Sequence, residues 1–387
     1  MSRLSAPKEP ETTPAEDGEA CALPAIRDAI DVADGWISFA RFMDLALYGP
    51  DSGYYVSGRR KFGREGDFVT ASGISGLFGA TVARQVAQVL EASAPQVLEF
   101  GAGDGRLAAD LLNALGESVE GYAILELSPA LREAQRATLL AQAPRHAERV
   151  TWLDRLPARF DGCVVANEVL DAMPVHLVAW TDGGIMERGV ARDGQALTYA
   201  DRPAQGAVAE AAQDLARRHG IAAPYLSEIN LAAQAWTRSL ADWLGTGAAL
   251  LIDYGFPGHE YYHPQRRSGT LMCHHRHRAV DAPLTLAGEA DITAHVDFSA
   301  VARAASGAGL DILGFATQAA FLIDCGITEI LAATPASDAR AYLPLANQAQ
   351  RLLSSAEMGE LFKVLAVGRG VGDELVGFAR HDRRGAL

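Results

Sequence analysis

No apolar run in the 387-residue chain reaches the length a helix needs to cross a bilayer, so a membrane span is not expected. Cation is also short. Lys and Arg number 34 against 48 Asp and Glu, a formal net charge of −14 at pH 7. That balance argues against broad, phosphate-driven binding of nucleic acid and suits a cationic or neutral substrate. Cysteine is scarce: Cys21, Cys163, Cys273 and Cys325 are scattered without paired spacing. The pattern of a disulfide framework is missing, and reduced thiols are the simplest reading. The first twenty residues lack the apolar core of a secretory signal and are too acidic for a mitochondrial transit peptide. Rich in Pro, Glu and Thr, they read as a disordered tail, and the chain as a cytoplasmic protein.

What is present is enough apolar residue for a substantial core, 49% of the chain. Residues 96–170 alternate short buried strands with helices: "QVLEF", "RLAADLLNAL", "YAILEL", a helix opened by Ser128-Pro129, "VTWL" and "CVVA". This alternation predicts an α/β fold with a doubly wound, Rossmann-like parallel sheet. "AALLIDYG" (248–255) and "ELFKVLAVGRG" read as later strands. Residues 21–90 read as an N-terminal helical and lid region, and 91–387 as the main domain. An insertion around 185–245 is expected to hold a hairpin near Met186–Tyr199 and two Ala-rich helices. No internal repeat is visible.

"LEFGAGDGRLAADLL" places Glu99 at a strand end, a tight turn through Gly101, Gly103, Asp104 and Gly105, and then a helix. Glycines let a ligand approach the backbone, and the helix start offers unpaired N–H groups. The spacing is not that of a dinucleotide fingerprint, because the third glycine comes one residue early. Glu99 and Asp104 would repel a pyrophosphate but could accept hydrogen bonds from an ammonium group. S-adenosylmethionine carries that ammonium and a sulfonium, and no phosphate. Glu126, at the end of the second strand, is placed to accept both ribose hydroxyls. The alternative is a plain surface Glu. Asp154, after Trp152 and Leu153 on the third strand, is a candidate to flank an adenine.

"VVANEVLDAMPVH" follows the fourth strand, so Asn167, Glu168 and Asp171 fall at the sheet edge where ligands of open α/β sheets bind. Two carboxylates suit the forked, permanently charged guanidinium of arginine. They could hold it and help its proton leave during methyl transfer. They could equally cap the local turn.

Beyond these residues the sequence resembles a known family. "ALYGPDSGYY", "GDFVTAS", "LEFGAGDGRLAADLL", "ANEVLDAMPVH", "LLIDYG", "TQAAFLIDCGI" and "MGELFKVLAV" occur in order. Together they look like the MidA-like family, which includes the mitochondrial complex I assembly arginine methyltransferase. The resemblance runs from about Phe42 to Val367. It implies a class I S-adenosyl-L-methionine-dependent methyltransferase fold with an N-terminal lid, and a protein substrate, a complex I subunit among the candidates. It places Phe68 and Thr70 near the methionine end of the cofactor and makes Tyr54 and Tyr55 lid or substrate-channel residues, with packing as the alternative. It also brings His295 and Asp297 of "DITAHVDF" near the active site. The chain departs from the family where acids are usual, at Ser72-Gly73 and Ala80.

"MCHHRHR" (272–278) offers Cys273, His274, His275 and His277, but these are too contiguous for one tetrahedral metal site, and no metal is expected. His176 is a proton acceptor or an ordinary core histidine. The function expected is arginine methylation of a protein. The alternatives are methylation of a small amine or oxygen nucleophile, and a cofactor-binding assembly chaperone without turnover.

Overall fold

The computed structural model describes residues 21–56, 73, 75–276 and 278–387. Sixteen strands are named here in chain order among those residues. The central sheet contains β2 (Gln96–Phe100), β3 (Gly121–Leu125), β4 (Val150–Leu153), β5 (Phe160–Asn167), β10 (Leu244–Phe256), β15 (Asp311–Thr317) and β16 (Phe362–Arg369). Their spatial order is β4-β3-β2-β5-β10-β16-β15. β4, β3, β2, β5 and β10 pair in parallel, and β16 runs antiparallel between β10 and β15. β14 (Val296–Asp297) adds to the carboxyl end of β10.

The apolar runs of these strands are continuous because both faces are covered. Side chains alternate between the faces. Val97, Val165, Leu250, Ile252 and Val364 point to one side, packed with helices Gly76–Ala92 and Arg106–Leu115. Leu98, Val164, Ala249, Leu251 and Leu365 point to the other, packed with helices Leu231–Trp243 and Phe298–Gly307. The sheet is therefore a rigid two-sided wall, and its carboxyl edge is the platform for everything that follows.

Over that edge sits a second, antiparallel sheet. β6 (His176–Thr181), β7 (Gly184–Asp193), β8 (Ala196–Pro203) and β9 (Tyr225–Ile229) come from the middle of the chain, and β1 (Trp36–Ser38) comes from its start. β1 pairs with β7, Ile37 opposite Val190. The helix Phe39–Tyr48 buries Phe39, Phe42, Met43 and Leu47 against Val175, Leu177 and Val190. A small third sheet, β11 (Met272–His275), β12 (Arg278–Ala279) and β13 (Asp291–Thr293), contributes Cys273 and Ile292 to the same cluster.

Two sequence expectations change here. The hairpin near Met186–Tyr199 and both Ala-rich helices are present as β7–β8, Gly206–His219 and Leu231–Trp243. The inserted material starts earlier, at β6, and is organised by a sheet that the N-terminal region completes. "DITAHVDF" is not one alternating strand. It breaks between β13 and β14, where the Ala294 N–H donates to the Asp171 carbonyl at 3.0 Å, and its polar Asp291 and Thr293 are buried.

The join between β1 and β7 has no room to spare. A Cβ on Gly189 would lie 2.2 Å from the Ile37 carbonyl oxygen and 2.4 Å from the Trp36 ring. Gly189→Val should therefore push β1 off β7 and cost about 1–3 kcal/mol, the range for overpacking. Thermal unfolding followed by circular dichroism checks this; an unchanged midpoint would contradict the pairing.

Candidate active site

The glycine turn leaves β2 with three left-handed residues, Gly101, Gly103 and Gly105, at φ of +63°, +54° and +85°. A Cβ at Gly101 would meet Val169 at 2.8 Å, so the close approach there is to the turn after β5. Gly105 plays a different part from the one expected. It starts the helix Arg106–Leu115, its missing Cβ leaves room for the Gln135 backbone at 3.0 Å, and it does not line the cavity.

Asp104 occupies the start of the helix. Its Oδ1 accepts from the Arg106 N–H at 3.2 Å, and its Oδ2 pairs with the Arg106 Nε at 3.1 Å. A helix start that already holds a carboxylate is a poor phosphate site.

Beneath this turn lies a cavity of about 390 Å³. Six carboxylates line it: Glu99, Asp104, Glu126, Glu168, Asp171 and Asp291. Among the described residues no Lys or Arg does. Glu99 is 1% exposed, and its Oε2 accepts from the Tyr122 hydroxyl at 2.7 Å. Burial pushes its carboxyl up to about 7, Tyr122 pulls it down, and the charge of Asp104 pushes it up again. A cation beside Glu99 would relieve that cost. Glu126 is held by the Ser128 N–H at 2.8 Å and by Gln135 Nε2 at 3.1 Å, one bond to each oxygen. Each oxygen keeps a second lone pair. The set of acceptors therefore fits S-adenosylmethionine: carboxylates for the ammonium, a fixed carboxylate for the ribose, and apolar Leu125 and Leu131 on the wall.

Asp154 does not join them. It is exposed beyond the end of β4 and absent from the cavity wall. Trp152 is turned onto the helix Pro129–Gln142, donating to Gln135 Oε1 at 2.8 Å, with the Arg136 guanidinium 4.6 Å from its ring. Phe68, Thr70 and His277 lie outside the described residues.

At the end of β5 the chain makes a turn, not a helix. Asn167 pairs with Ile252 across the sheet, and the Glu168 N–H still donates to the Ile252 carbonyl at 2.8 Å. Glu168 then adopts φ +54°, a left-handed conformation that costs a residue with a side chain about 1–3 kcal/mol. Asn167 Nδ2 donates to Glu168 Oε1 at 3.1 Å. Asp171 is buried; its Oδ2 accepts from the Tyr254 hydroxyl, and the backbone N–H groups of Asp171 and Ala172 also favour its charged form. Burial pushes Asp171 up to about 6, against the pull of the Tyr254 bond.

The residue that holds this turn is Asp253, which sequence reasoning passed over inside "LLIDYG". Its Oδ2 accepts from the N–H groups of Leu170 at 2.9 Å and Asp171 at 3.2 Å, and its Oδ1 from the Tyr254 N–H at 2.9 Å. Burial, then the charges of Asp171 and Glu168, drive its pKa well up. An acid inside an otherwise apolar strand was the signal that could have revealed it.

The N-terminal turn closes the cavity. Gly53 N–H bonds to the Gly49 carbonyl at 2.8 Å, folding the chain back so that the Tyr54 and Tyr55 N–H groups reach the Ala46 and Leu47 carbonyls, each at 2.8 Å. A Cβ on Gly53 would strike Gly49 N at 2.5 Å. Both tyrosines line the cavity, and Tyr55 stacks on Tyr48 with centroids 5.5 Å apart. The Tyr55 hydroxyl donates to Asp291 at 2.8 Å, a residue not anticipated as part of the site. Tyr54 and Tyr55 are thus both packed and pocket-facing; the two readings do not compete.

His295 lies behind Tyr254, ring centroids 5.3 Å apart, outside this cavity. Asp297 does not face it either: Asp297 caps the helix Phe298–Gly307, accepting from the Ala300 N–H at 3.0 Å. His176 bonds Glu187 at 2.6 Å on the second sheet. If Glu126 is the ribose acceptor, Glu126→Ala should weaken S-adenosylhomocysteine by about 10-fold or more, the loss of hydrogen bonds to a charged group. Titration calorimetry on the folded variant checks this, and equal affinity would remove Glu126 from the site.

Comparison with known proteins agrees with this geometry. A family of S-adenosyl-L-methionine-dependent methyltransferases matches residues 81–316. A solved Burkholderia thailandensis protein crystallised with S-adenosyl-homocysteine is 50% identical, covering 97% of this chain and 100% of that one, with a TM-score of 0.92. The mitochondrial protein arginine methyltransferase NDUFAF7 of Mus musculus is 31% identical over 86% of this chain and 81% of its own length. Its Drosophila melanogaster homolog is 30% identical over 95% and 90%. These curated relatives are mitochondrial proteins, which overturns the cytoplasmic placement read from the acidic tail. The fold, the acidic cavity and these similarities converge: the chain belongs to the S-adenosyl-L-methionine-dependent methyltransferase family and is a methyltransferase that uses S-adenosyl-L-methionine.

Proposed function

We propose that the chain methylates a guanidinium nitrogen of an arginine in a protein, with a subunit of respiratory complex I as the substrate that the family resemblance favours. The observation that carries the reading is the Glu168–Asp171 pair on the wall of the cofactor cavity. Relatives named as protein arginine methyltransferases support it. The bound cofactor supplies an electrophilic methyl group on a sulfonium.

The chain's own residues do the rest. Glu168 and Asp171 present carboxylates to a forked cation, with Asn167 fixing one Glu168 oxygen. The Tyr254 hydroxyl bonds Asp171 Oδ2 and fixes that carboxylate on the cavity wall beside Glu168. With its carboxyl pushed up to about 6, Asp171 is ionised at neutral pH yet more basic than an exposed aspartate, which suits a group that takes the departing proton. Tyr48, Tyr54 and Tyr55 wall the site against water. Family acids are missing at two positions. Gly73 and Ala80 are off the cavity wall, which keeps six carboxylates without them.

Glu168→Gln keeps the side chain's shape and removes its charge. It should leave S-adenosylhomocysteine affinity within a few-fold and cut methyl transfer by about 10²-fold or more. Labelled methyl transfer into a lysate from cells lacking the protein, with amino-acid analysis of the product, measures both the rate and the residue modified. Labelled methylarginine supports the reading; label confined to another residue would refute it.

The pH profile gives an independent check. Methyl transfer should fall as pH drops through about 6, where Asp171 gains its proton. Tyr254→Phe removes a donor that favours the carboxylate, so Asp171 should titrate higher and the acid limb should move to higher pH. A limb that stays in place, or moves to lower pH, would exclude Asp171 as the proton acceptor.

A further inference from the structure

A second cavity, of about 340 Å³, adjoins the first, and Glu168 lines both. The partition between them is built from the residues just described. Asp171 faces the cofactor cavity, Tyr254 faces the second, and the hydrogen bond from the Tyr254 hydroxyl to Asp171 joins the two sides. Around the second cavity stand Tyr254, His295, Phe362, Met272 and Met358. Each cavity is at the small end of ligand sites, room for one occupant.

The chemistry of this lining suits one kind of side chain. A guanidinium is planar, is weakly hydrated and stacks on aromatic faces while its forked N–H groups seek a carboxylate. Its three-carbon stem covers apolar surface, and methionine adapts to such a stem. Arg351, Glu357 and His274 line it as well. Arg351 pairs with Glu357 at 3.2 Å. Lys363 Nζ is turned onto the carbonyls of Gly255 and Leu361, at 3.1 and 3.2 Å. The Arg266 guanidinium lies 3.8 Å from the centre of the Phe256 ring. His295 is neutral at physiological pH, pushed down to about 4 by burial and by Arg266 and Lys363. Glu168 brings a carboxylate to the wall shared with the first cavity, and Glu357, paired with Arg351, brings a second one to this cavity.

The geometry points to the second cavity as the substrate's way in: one arginine side chain of a protein passes Met272 and Met358, lies along Tyr254, and brings its guanidinium to Glu168 where the two cavities adjoin. The cofactor and the arginine then reach the same carboxylate through separate openings, with neither having to leave for the other to bind. This rests on the arginine reading above and adds to it a route and the residues that shape it.

N-ethylguanidinium, an arginine tip, tests the site without turnover. The chain has six methionines, two of them on this cavity. Full-length protein carrying ¹³C-methyl methionine and saturated with S-adenosylhomocysteine is titrated with the probe. The Met272 and Met358 methyl resonances should shift along one saturable curve, those of Met43 and Met186 should not, and Glu168→Gln should weaken the binding about 10-fold or more. Unmoved Met272 and Met358 resonances, or equal shifts with N-ethylammonium, would overturn the site. Met272, 37% exposed, tolerates enlargement. Met272→Trp should cut transfer to protein about 10-fold while S-adenosylhomocysteine affinity stays within two-fold; undiminished transfer would also overturn it. Absence of methylarginine from wild-type reactions would instead overturn the arginine reading, independently of the titration.

Discussion

Asp253 stands at the carboxyl end of β10 with 1% of its surface exposed, and its two oxygens take three backbone N–H groups. Two of those belong to Leu170 and Asp171, on the turn after the neighbouring strand. A buried carboxyl group is tolerated only where donors satisfy it, so the turn cannot drift without leaving its oxygens unpaired. This constraint fixes Asp171 against Tyr254. It also helps to hold Glu168 in a left-handed conformation that a free loop would relax. The strain falls at the position shared by the two cavities, and the support for it comes from the next strand.

Electrostatics then selects the ligand. Six carboxylates line one cavity; the upward shift of Glu99 registers its burial and the charge of Asp104, and that of Asp171 registers its burial. An anionic nucleotide would add to the strain. A ligand with a sulfonium and an ammonium removes part of it. The glycine turn and the helix start would by themselves suit a phosphate; Asp104, bonded to the first helical N–H, is what changes the preference.

Much of this was legible in the sequence. Strand and helix alternation over 96–170 marked the parallel sheet, because a sheet covered on both faces leaves unbroken apolar runs between turn signals. The glycine turn, Glu126 and Asn167–Asp171 announced themselves by their position at strand ends. The rest was hidden for physical reasons. β1 is three residues long and exists only because β7 pairs with it. β9 carries a buried Glu228, which breaks the apolar pattern yet is satisfied by the Thr270 and Leu271 N–H groups. Asp253 and Asp291 act through partners far along the chain, which no local window brings together. Asp297, Asp154 and Gly105 were misjudged because sequence position near a site does not give side-chain direction: one caps a helix, one faces solvent, and one yields space to Gln135.

The pairing of β1 with β7 also bears on how the molecule is made. The N-terminal segment leaves the ribosome first, but its strand partner and the apolar surface for its helix are synthesised far later. Contacts so distant in sequence are slow to form, since the loop must close before any gain is returned. Phe39, Phe42, Met43 and Leu47 therefore remain uncovered during synthesis, a stretch that a chaperone would recognise. Tyr54 and Tyr55, carried on the same segment, reach the cavity only when that segment docks. A chain can have its parallel sheet and still lack a closed cofactor site, so the capacity to transfer a methyl group waits on the docking of this segment.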